Sequence, residues 1–147
     1  MACVWPGSDD KVLPMIARLA LALGAALLAS AASPPEGIEG VWRNPHNSVH
    51  IRYEPCGKGA ICGTVVWASD KAIADAKRGG TDNLIGTPIF RNLYKNGPNR
   101  WKGSVFVPDI RKTFSGTVTI EGDKMIGRGC LLLGVGCKAQ TWSRITE

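Results

Sequence analysis

The chain has 147 residues, with 18 Lys or Arg against 12 Asp or Glu, and a formal net charge of +6 at pH 7. This length predicts one small domain with a modest hydrophobic core. The positive charge favours an anionic partner, such as an anionic envelope component. The basic residues are scattered and form no polybasic run, so we expect no nucleic-acid binding.

The first 14 residues do not resemble the start of an exported protein. Asp9 and Asp10 lie where the n-region of an export signal is normally basic. Residues 1–14 are therefore either an extended n-region or a segment before the true start codon. The sequence leaves the start open between Met1 and Met15, and Cys3 is excluded from the fold in both cases.

Residues 15–31 have the three parts of a signal peptide. Arg18 supplies a positive charge, residues 19–28 are an apolar run, and residues 29–31 are a small-x-small cleavage site. The run is shorter than the roughly 20 apolar residues that span a bilayer. We therefore expect cleavage near Ala32, a periplasmic or secreted location, and a mature domain over residues 32–147 with no transmembrane segment.

After this signal, hydrophobic and polar residues alternate along several segments that are separated by turn-forming residues. A period of two is typical of antiparallel strands with one buried face. The clearest case is segment 114–120, in which apolar residues or glycine alternate with Ser and Thr. We predict strands near residues 41–43, 49–53, 61–67, 89–94, 101–107, 114–120, 125–131 and 139–145.

One helix is predicted between the third and fourth of these strands. Ser69 can cap its start, and Gly79 and Gly80 can end it. Lys77 and Arg78 lie in its last turn, where the helix dipole favours cations. A narrow apolar stripe indicates that this helix lies against the sheet.

Four cysteines remain after the predicted cleavage: Cys56, Cys62, Cys130 and Cys137. An even count in a small exported domain predicts two disulfides, and the spacings do not fit the C-x2-4-C pairs of zinc sites. Each neighbouring pair brackets a glycine-containing turn, which brings the two sulfurs together across a hairpin. We therefore predict the local pairs Cys56–Cys62 and Cys130–Cys137.

Few residues carry a catalytic or metal-binding signature. His46 and His50 lie four residues apart in a predicted strand, a separation of about 13 Å, so we expect no metal site. The sequence has no nucleophile elbow and no phosphate-binding loop, and we expect no cofactor and no catalytic residue. Asp109 is the best-placed carboxylate for an enzyme, but an aspartate after a turn proline commonly serves turn geometry.

Residues at the two ends of the domain predict how a barrel closes. Gly40 and Trp42 open the first strand, and Arg144 ends the last. In a closed barrel these strands pair, and the guanidinium of Arg144 can lie over the indole of Trp42. This pair resembles the glycine-x-tryptophan and terminal arginine signature of lipocalin-like barrels, in which it serves closure rather than ligand binding.

A wider set of motifs runs along the mature chain, at residues 56–57, 62–67, 86–89, 101–103, 107–109, 113–116 and 140–144. Together these motifs resemble domain of unknown function family 2147, a family of small exported bacterial proteins. The resemblance covers nearly all of the mature chain, from Gly40 to Ile145, but not the segment 70–80 or the pair Cys130 and Cys137. It implies a lipocalin-like antiparallel barrel, periplasmic or secreted, with no established activity.

We therefore expect an all-β, small antiparallel lipocalin-like barrel of about eight strands with one short helix. Its predicted function is non-enzymatic, either binding a small apolar or amphipathic ligand or maintaining the envelope. Two alternatives stay open: an envelope hydrolase using a carboxylate such as Asp109, and a structural module docking a partner through residues 131–133. A pocket in the barrel would favour the ligand-binding protein, and a pair of inward carboxylates would favour the hydrolase. A barrel filled by its own side chains would favour the structural module. The candidate ligand-wall residues are Trp67, Phe90, Tyr94 and Phe106.

Overall fold

Eight antiparallel strands close into a barrel, and each strand pairs with its neighbours in chain order. The computed structural model describes residues 37–130 and 136–146, to which this count refers. β8 also pairs with β1, so the predicted all-β barrel of about eight strands is confirmed. The strands are β1 (Gly40–Arg43), β2 (Val49–Gly57), β3 (Ala60–Ala68), β4 (Pro88–Lys95), β5 (Arg100–Val107), β6 (Lys112–Glu121), β7 (Lys124–Cys130) and β8 (Lys138–Ile145).

Three predicted segments lie outside the described residues. They are residues 1–14, the signal peptide 15–31 and the apolar loop 131–133. Within the described ranges, we find no helix whose length and apolar character would allow it to cross a membrane.

Alternation along the strands separates the barrel interior from its outer surface. On β6, Gly116, Val118 and Ile120 are buried, whereas the alternating residues Ser115, Thr117 and Thr119 are more exposed. On β7, Met125 and Gly127 are buried in the same alternating way. The interior positions of neighbouring strands face one another because the register pairs them directly.

One end of the barrel, here called the closed end, is sealed by Trp42. Its side chain is fully buried, and its indole Nε1 donates a 2.9 Å hydrogen bond to the carbonyl oxygen of Ile38. Arg144 lies opposite Trp42 in the register, with its guanidinium 4.1 Å from the ring centroid. That guanidinium also donates to the carbonyl oxygens of Glu39 and Gly37, both at 2.6 Å. The first and last strands therefore close around the pair that the sequence predicts.

The opposite end, here called the open end, carries the single helix of the described residues, α1 (Asp70–Arg78). Its N-cap is Ser69, whose hydroxyl accepts a hydrogen bond from the backbone of Ala72. The helix ends against the turn between β5 and β6, since a Cβ at Gly79 would lie 2.0 Å from the carbonyl oxygen of Asp109. Only glycine permits this approach, which holds the helix across the open end.

Two disulfides fasten hairpins at opposite ends of the barrel. Cys56 is bonded to Cys62 between β2 and β3, near the closed end. Cys130 is bonded to Cys137 between β7 and β8, at the open end. Both are the local pairs that the glycine turns predict, and they are compatible with an exported protein.

Candidate ligand-binding cavity

Glycines on β7 keep the open half of the barrel from being filled. By alternation from the buried Met125, positions 127 and 129 point inward. A Cβ at Gly129 would meet no atom within 4 Å, and one at Gly127 would lie 3.4 Å from the ring of Phe90. At the closed end the same test gives 2.7 Å between a Cβ at Gly63 and the ring of Tyr53. Gly63 therefore admits a neighbouring ring at the closed end, Gly127 lies within ordinary contact distance of Phe90, and Gly129 leaves free space at the open end.

This free space is a cavity of about 660 Å³ that opens beside the turns of the open end. Its volume lies within the range of about 300–1,000 Å³ that is typical of small-molecule sites. The walls are mostly apolar. A bound molecule would therefore bury its apolar surface against the protein and remove that surface from water, which is favourable. The apolar side chains of the lining include Val49, Ile89, Phe90, Val105, Phe114 and Trp142.

Aromatic rings form the inner boundary of the cavity. The ring of Phe90 lies 5.3 Å from Tyr53 and 6.3 Å from Trp142, measured between centroids. Tyr53 is 1% exposed, and its hydroxyl has no hydrogen-bond partner among the described residues. Burial raises the pKa of Tyr53 well above its usual value, so this hydroxyl stays neutral. The ring cluster separates the cavity from the packed closed end.

The last strand adds polar groups to one wall of the cavity. Lys138, Gln140 and Trp142 alternate along β8 and all contribute to the lining. The register places Lys138 opposite Gly129 and Gln140 opposite Gly127, so they share the inward face. Lys138 and Gln140 are exposed at the mouth, and within residues 37–130 and 136–146 neither side chain has a hydrogen bond or ion pair. The cavity thus has an apolar interior and a polar rim.

A second, more polar recess adjoins this mouth, beneath the N-terminal half of α1. Asp75 and Asp109 both line it. Lys71 approaches Asp75 to 2.7 Å, and Arg78 forms a second ion pair with the same carboxylate. The hydrogen bond from Lys71, with the charges of both cations, lowers the pKa of Asp75. Asp75 is therefore held as an ionised, paired carboxylate.

The two histidines take surface roles. His50 bonds Asn47 at 2.8 Å and stacks on Trp67 with a centroid separation of 4.5 Å. Desolvation, followed by the charge of Arg43, lowers the pKa of His50. His46 lines the polar recess. No group of three or more His, Cys, Asp or Glu side chains that could hold a metal occurs in the described part of the chain.

The four predicted wall residues fall into two groups. Phe90 lines the cavity directly, and Phe106 belongs to the lining while its ring lies 4.6 Å from the guanidinium of Arg91. Trp67 and Tyr94 are 42% and 48% exposed and lie on the outer surface.

The exposed positions of Trp67 and Tyr94 follow from irregularities in strand pairing. His50 of β2 pairs with Trp67 of β3, but the next residue of β2, Ile51, pairs with Val65. β3 therefore has one extra residue between these two pairs, and this bulge turns Trp67 outward. A similar shift between Arg91 and Tyr94 turns Tyr94 outward. A bulge changes which face a residue occupies, and period-two reasoning cannot locate it.

Three cavity residues were missed by the sequence reasoning: Lys138, Gln140 and Trp142. Their alternate spacing on the last strand was the available signal. It becomes informative only when the inward face of β8 is known, and the pairing of Gln140 with the inward Gly127 supplies that.

Comparison with known proteins identifies a family without assigning an activity. No curated protein and no solved structure matches the chain. A family model, described as an uncharacterized protein conserved in bacteria (DUF2147), matches residues 40–144. These residues run from the first residue of β1 to Arg144 and so include nearly the whole barrel. The chain therefore belongs to the DUF2147 family.

Proposed function

We propose that this protein is an exported, non-enzymatic binder of a small molecule whose apolar body occupies the cavity at the open end. The observation that carries the proposal is the free space of about 660 Å³ beside Gly129. An eight-stranded barrel is either filled by its own side chains or has room for one small ligand. The open space at the inward Gly129 of β7 favours the second arrangement and counts against a purely structural module.

The energetics of the cavity support an apolar ligand. Burial of apolar surface contributes about 25 cal/mol per Å². The walls at Val105, Phe114 and Phe90 offer such surface. These walls belong to strands that pair directly, Phe90 with Val105 and Val105 with Phe114. A ligand therefore meets a wall that is held in place before binding, which reduces the entropic cost of association.

The hydrolase alternative has weaker support. General acid and base catalysis by a pair of carboxylates requires that their environments give the two groups different pKa values, so that one donates and the other accepts a proton. Asp109 is exposed at the mouth, and Asp75, the other carboxylate lining the polar recess, is paired with two cations. This arrangement favours a structural role for Asp75 and a non-enzymatic function for the protein.

The proposed location is the periplasm or the exterior of the cell. The predicted signal peptide over residues 15–31 and the two disulfides both support export. The excess of basic residues in the chain supports anionic over cationic partners. An anionic envelope component is accordingly the partner class that we propose beyond the ligand itself.

Titration with N-phenyl-1-naphthylamine, a neutral apolar dye whose emission rises in apolar surroundings, tests the proposal. Gly129→Leu places an apolar side chain in the free space, and Thr141→Leu adds the same side chain at an exposed position of β8. The wild type and Thr141→Leu should bind the dye equally, and Gly129→Leu should bind it at least about tenfold more weakly. Thermal unfolding should confirm that both variants fold. Absence of binding to the wild type, or equal binding by Gly129→Leu, would contradict the proposal.

A further inference from the structure

We infer that the ligand is an amphipathic monoanion, with its anionic group bound by Lys138 at the mouth and its apolar body extended along β8 into the barrel. This inference rests on the proposed function and names the chemical class of the ligand. Its basis is the position of Lys138 beside an apolar cavity, opposite Gly129. Within the described residues, Lys138 has no carboxylate partner.

The alternate positions on β8 give the site its length. Lys138, Gln140 and Trp142 point into the cavity from the rim to the aromatic boundary. Lys138 and Trp142 are four residues apart, a separation of about 13 Å along an extended strand. The wall is therefore long and narrow, with the cationic group at its outer end and an aromatic ring at its inner end. An elongated molecule with one polar end fits this wall better than a compact polar one.

The facing strand leaves the polar groups of β8 accessible from inside the barrel. Directly paired side chains on neighbouring strands lie about 4.5–5.5 Å apart at their Cβ atoms, so a larger residue on β7 would cover them. The residues opposite Lys138 and Gln140 are Gly129 and Gly127. Because both lack a side chain, the ammonium and amide groups can reach a ligand within the cavity.

The charges of the rim favour an anion. The charged residues that line the cavity are Lys138, Arg128 and Asp109. Lys138 is on the inward face, opposite Gly129, whereas Arg128 is the exposed residue that precedes this glycine. Asp109 lies in the turn between β5 and β6, where Arg111 follows it in sequence. The rim thus carries more positive than negative charge, and one inward ammonium suits a single negative charge.

The rest of the cavity requires that most of the ligand be apolar. Phe90, Val105 and Phe114 form a continuous wall across β4, β5 and β6. These side chains offer no hydrogen bond, so a second charged group at this depth would lose its hydration without compensation. The anionic group must therefore stay at the rim.

Isothermal titration calorimetry with decanoate and decan-1-ol, which differ in the charge of one end, tests the inference at neutral pH. Lys138→Met removes the inward ammonium. Lys124→Met is the matched control, because it removes the same charge from an exposed position at the start of β7, at the closed end of the barrel. The wild type and Lys124→Met should bind decanoate about tenfold more tightly than decan-1-ol, the size expected for a charge-assisted hydrogen bond. Lys138→Met should lose this preference and keep the wild-type affinity for decan-1-ol.

Each failure has a different meaning. If the wild type binds both probes equally, or if Lys138→Met retains the preference for decanoate, the anion inference is wrong and ligand binding stands. If the wild type binds neither the two probes nor the neutral dye, the proposed function fails and the inference fails with it.

Discussion

Truncation of Trp42 tests the closure of the barrel. Trp42→Ala removes a fully buried indole, and Trp67→Ala removes an indole that is 42% exposed on the outer surface. The second variant is therefore a matched control for the loss of a tryptophan as such. Trp42→Phe is an intermediate change, since it keeps a buried ring and removes the hydrogen bond from Nε1 to the carbonyl oxygen of Ile38.

The expected magnitudes follow from these contacts. Loss of a buried Trp side chain costs about 3–5 kcal/mol of unfolding free energy, whereas Trp67→Ala should cost less than about 1 kcal/mol. Trp42→Phe should cost about 1–2 kcal/mol, mainly from the lost hydrogen bond. Arg144→Ala removes a cation–π contact and two hydrogen bonds to carbonyl oxygens. Because these bonds are partly exposed, its expected cost is about 1–3 kcal/mol.

Urea unfolding followed by far-ultraviolet circular dichroism, with both disulfides intact, measures these values. A double-mutant cycle between Trp42→Ala and Arg144→Ala should give a coupling energy of about 1 kcal/mol. If Trp42→Ala costs no more than Trp67→Ala, or if the coupling is zero, the closure mechanism is refuted.

Three further variants probe the two halves of the barrel and the helix. Gly63→Ala should destabilise the protein by about 1–3 kcal/mol, because its Cβ would lie 2.7 Å from the ring of Tyr53. Gly129→Ala should not destabilise the protein, because its Cβ would meet nothing within 4 Å. Equal unfolding midpoints for these two variants would contradict the assignment of filled and open halves. The hydrogen bond from Lys71 lowers the pKa of Asp75 in the folded protein. Ionised Asp75 therefore stabilises the fold at pH values above its unfolded pKa of about 3.9. This stabilisation is lost as the pH falls through the lower pKa of the folded state. Asp75→Asn should therefore flatten the acid side of the stability profile measured by thermal unfolding, and an unchanged profile would show that the ion pairs contribute nothing.

The features that sequence could predict are those encoded locally. On segment 114–120, alternation of apolar and hydroxyl residues identifies the inward face of β6 without any tertiary information. The cysteine pairs bracket glycine turns, so hairpin geometry alone brings Cys56 to Cys62. Ser69 and Gly79 similarly mark the two ends of α1 through capping preferences.

The features that sequence could not predict depend on strand register. Trp67 shares the spacing of inward residues on β3, but an extra residue in the pairing with β2 turns it outward. Tyr94 is turned outward by a shift on β4, after which Leu93 takes the fully buried position. The cavity itself results from where Gly127 and Gly129 meet β8 in the closed barrel, and this placement depends on the pairing of distant strands.

Native mass spectrometry of protein purified without denaturation from the cells that export it tests ligand binding most directly. Wild-type protein should carry an additional mass that is released on denaturation. Gly129→Leu, folded and with both disulfides formed, should lack that mass because its side chain projects into the free space that the ligand would fill. A wild-type spectrum that shows only the mass of the disulfide-bonded chain, and that matches the spectrum of Gly129→Leu, would contradict the proposal that this barrel binds a small molecule.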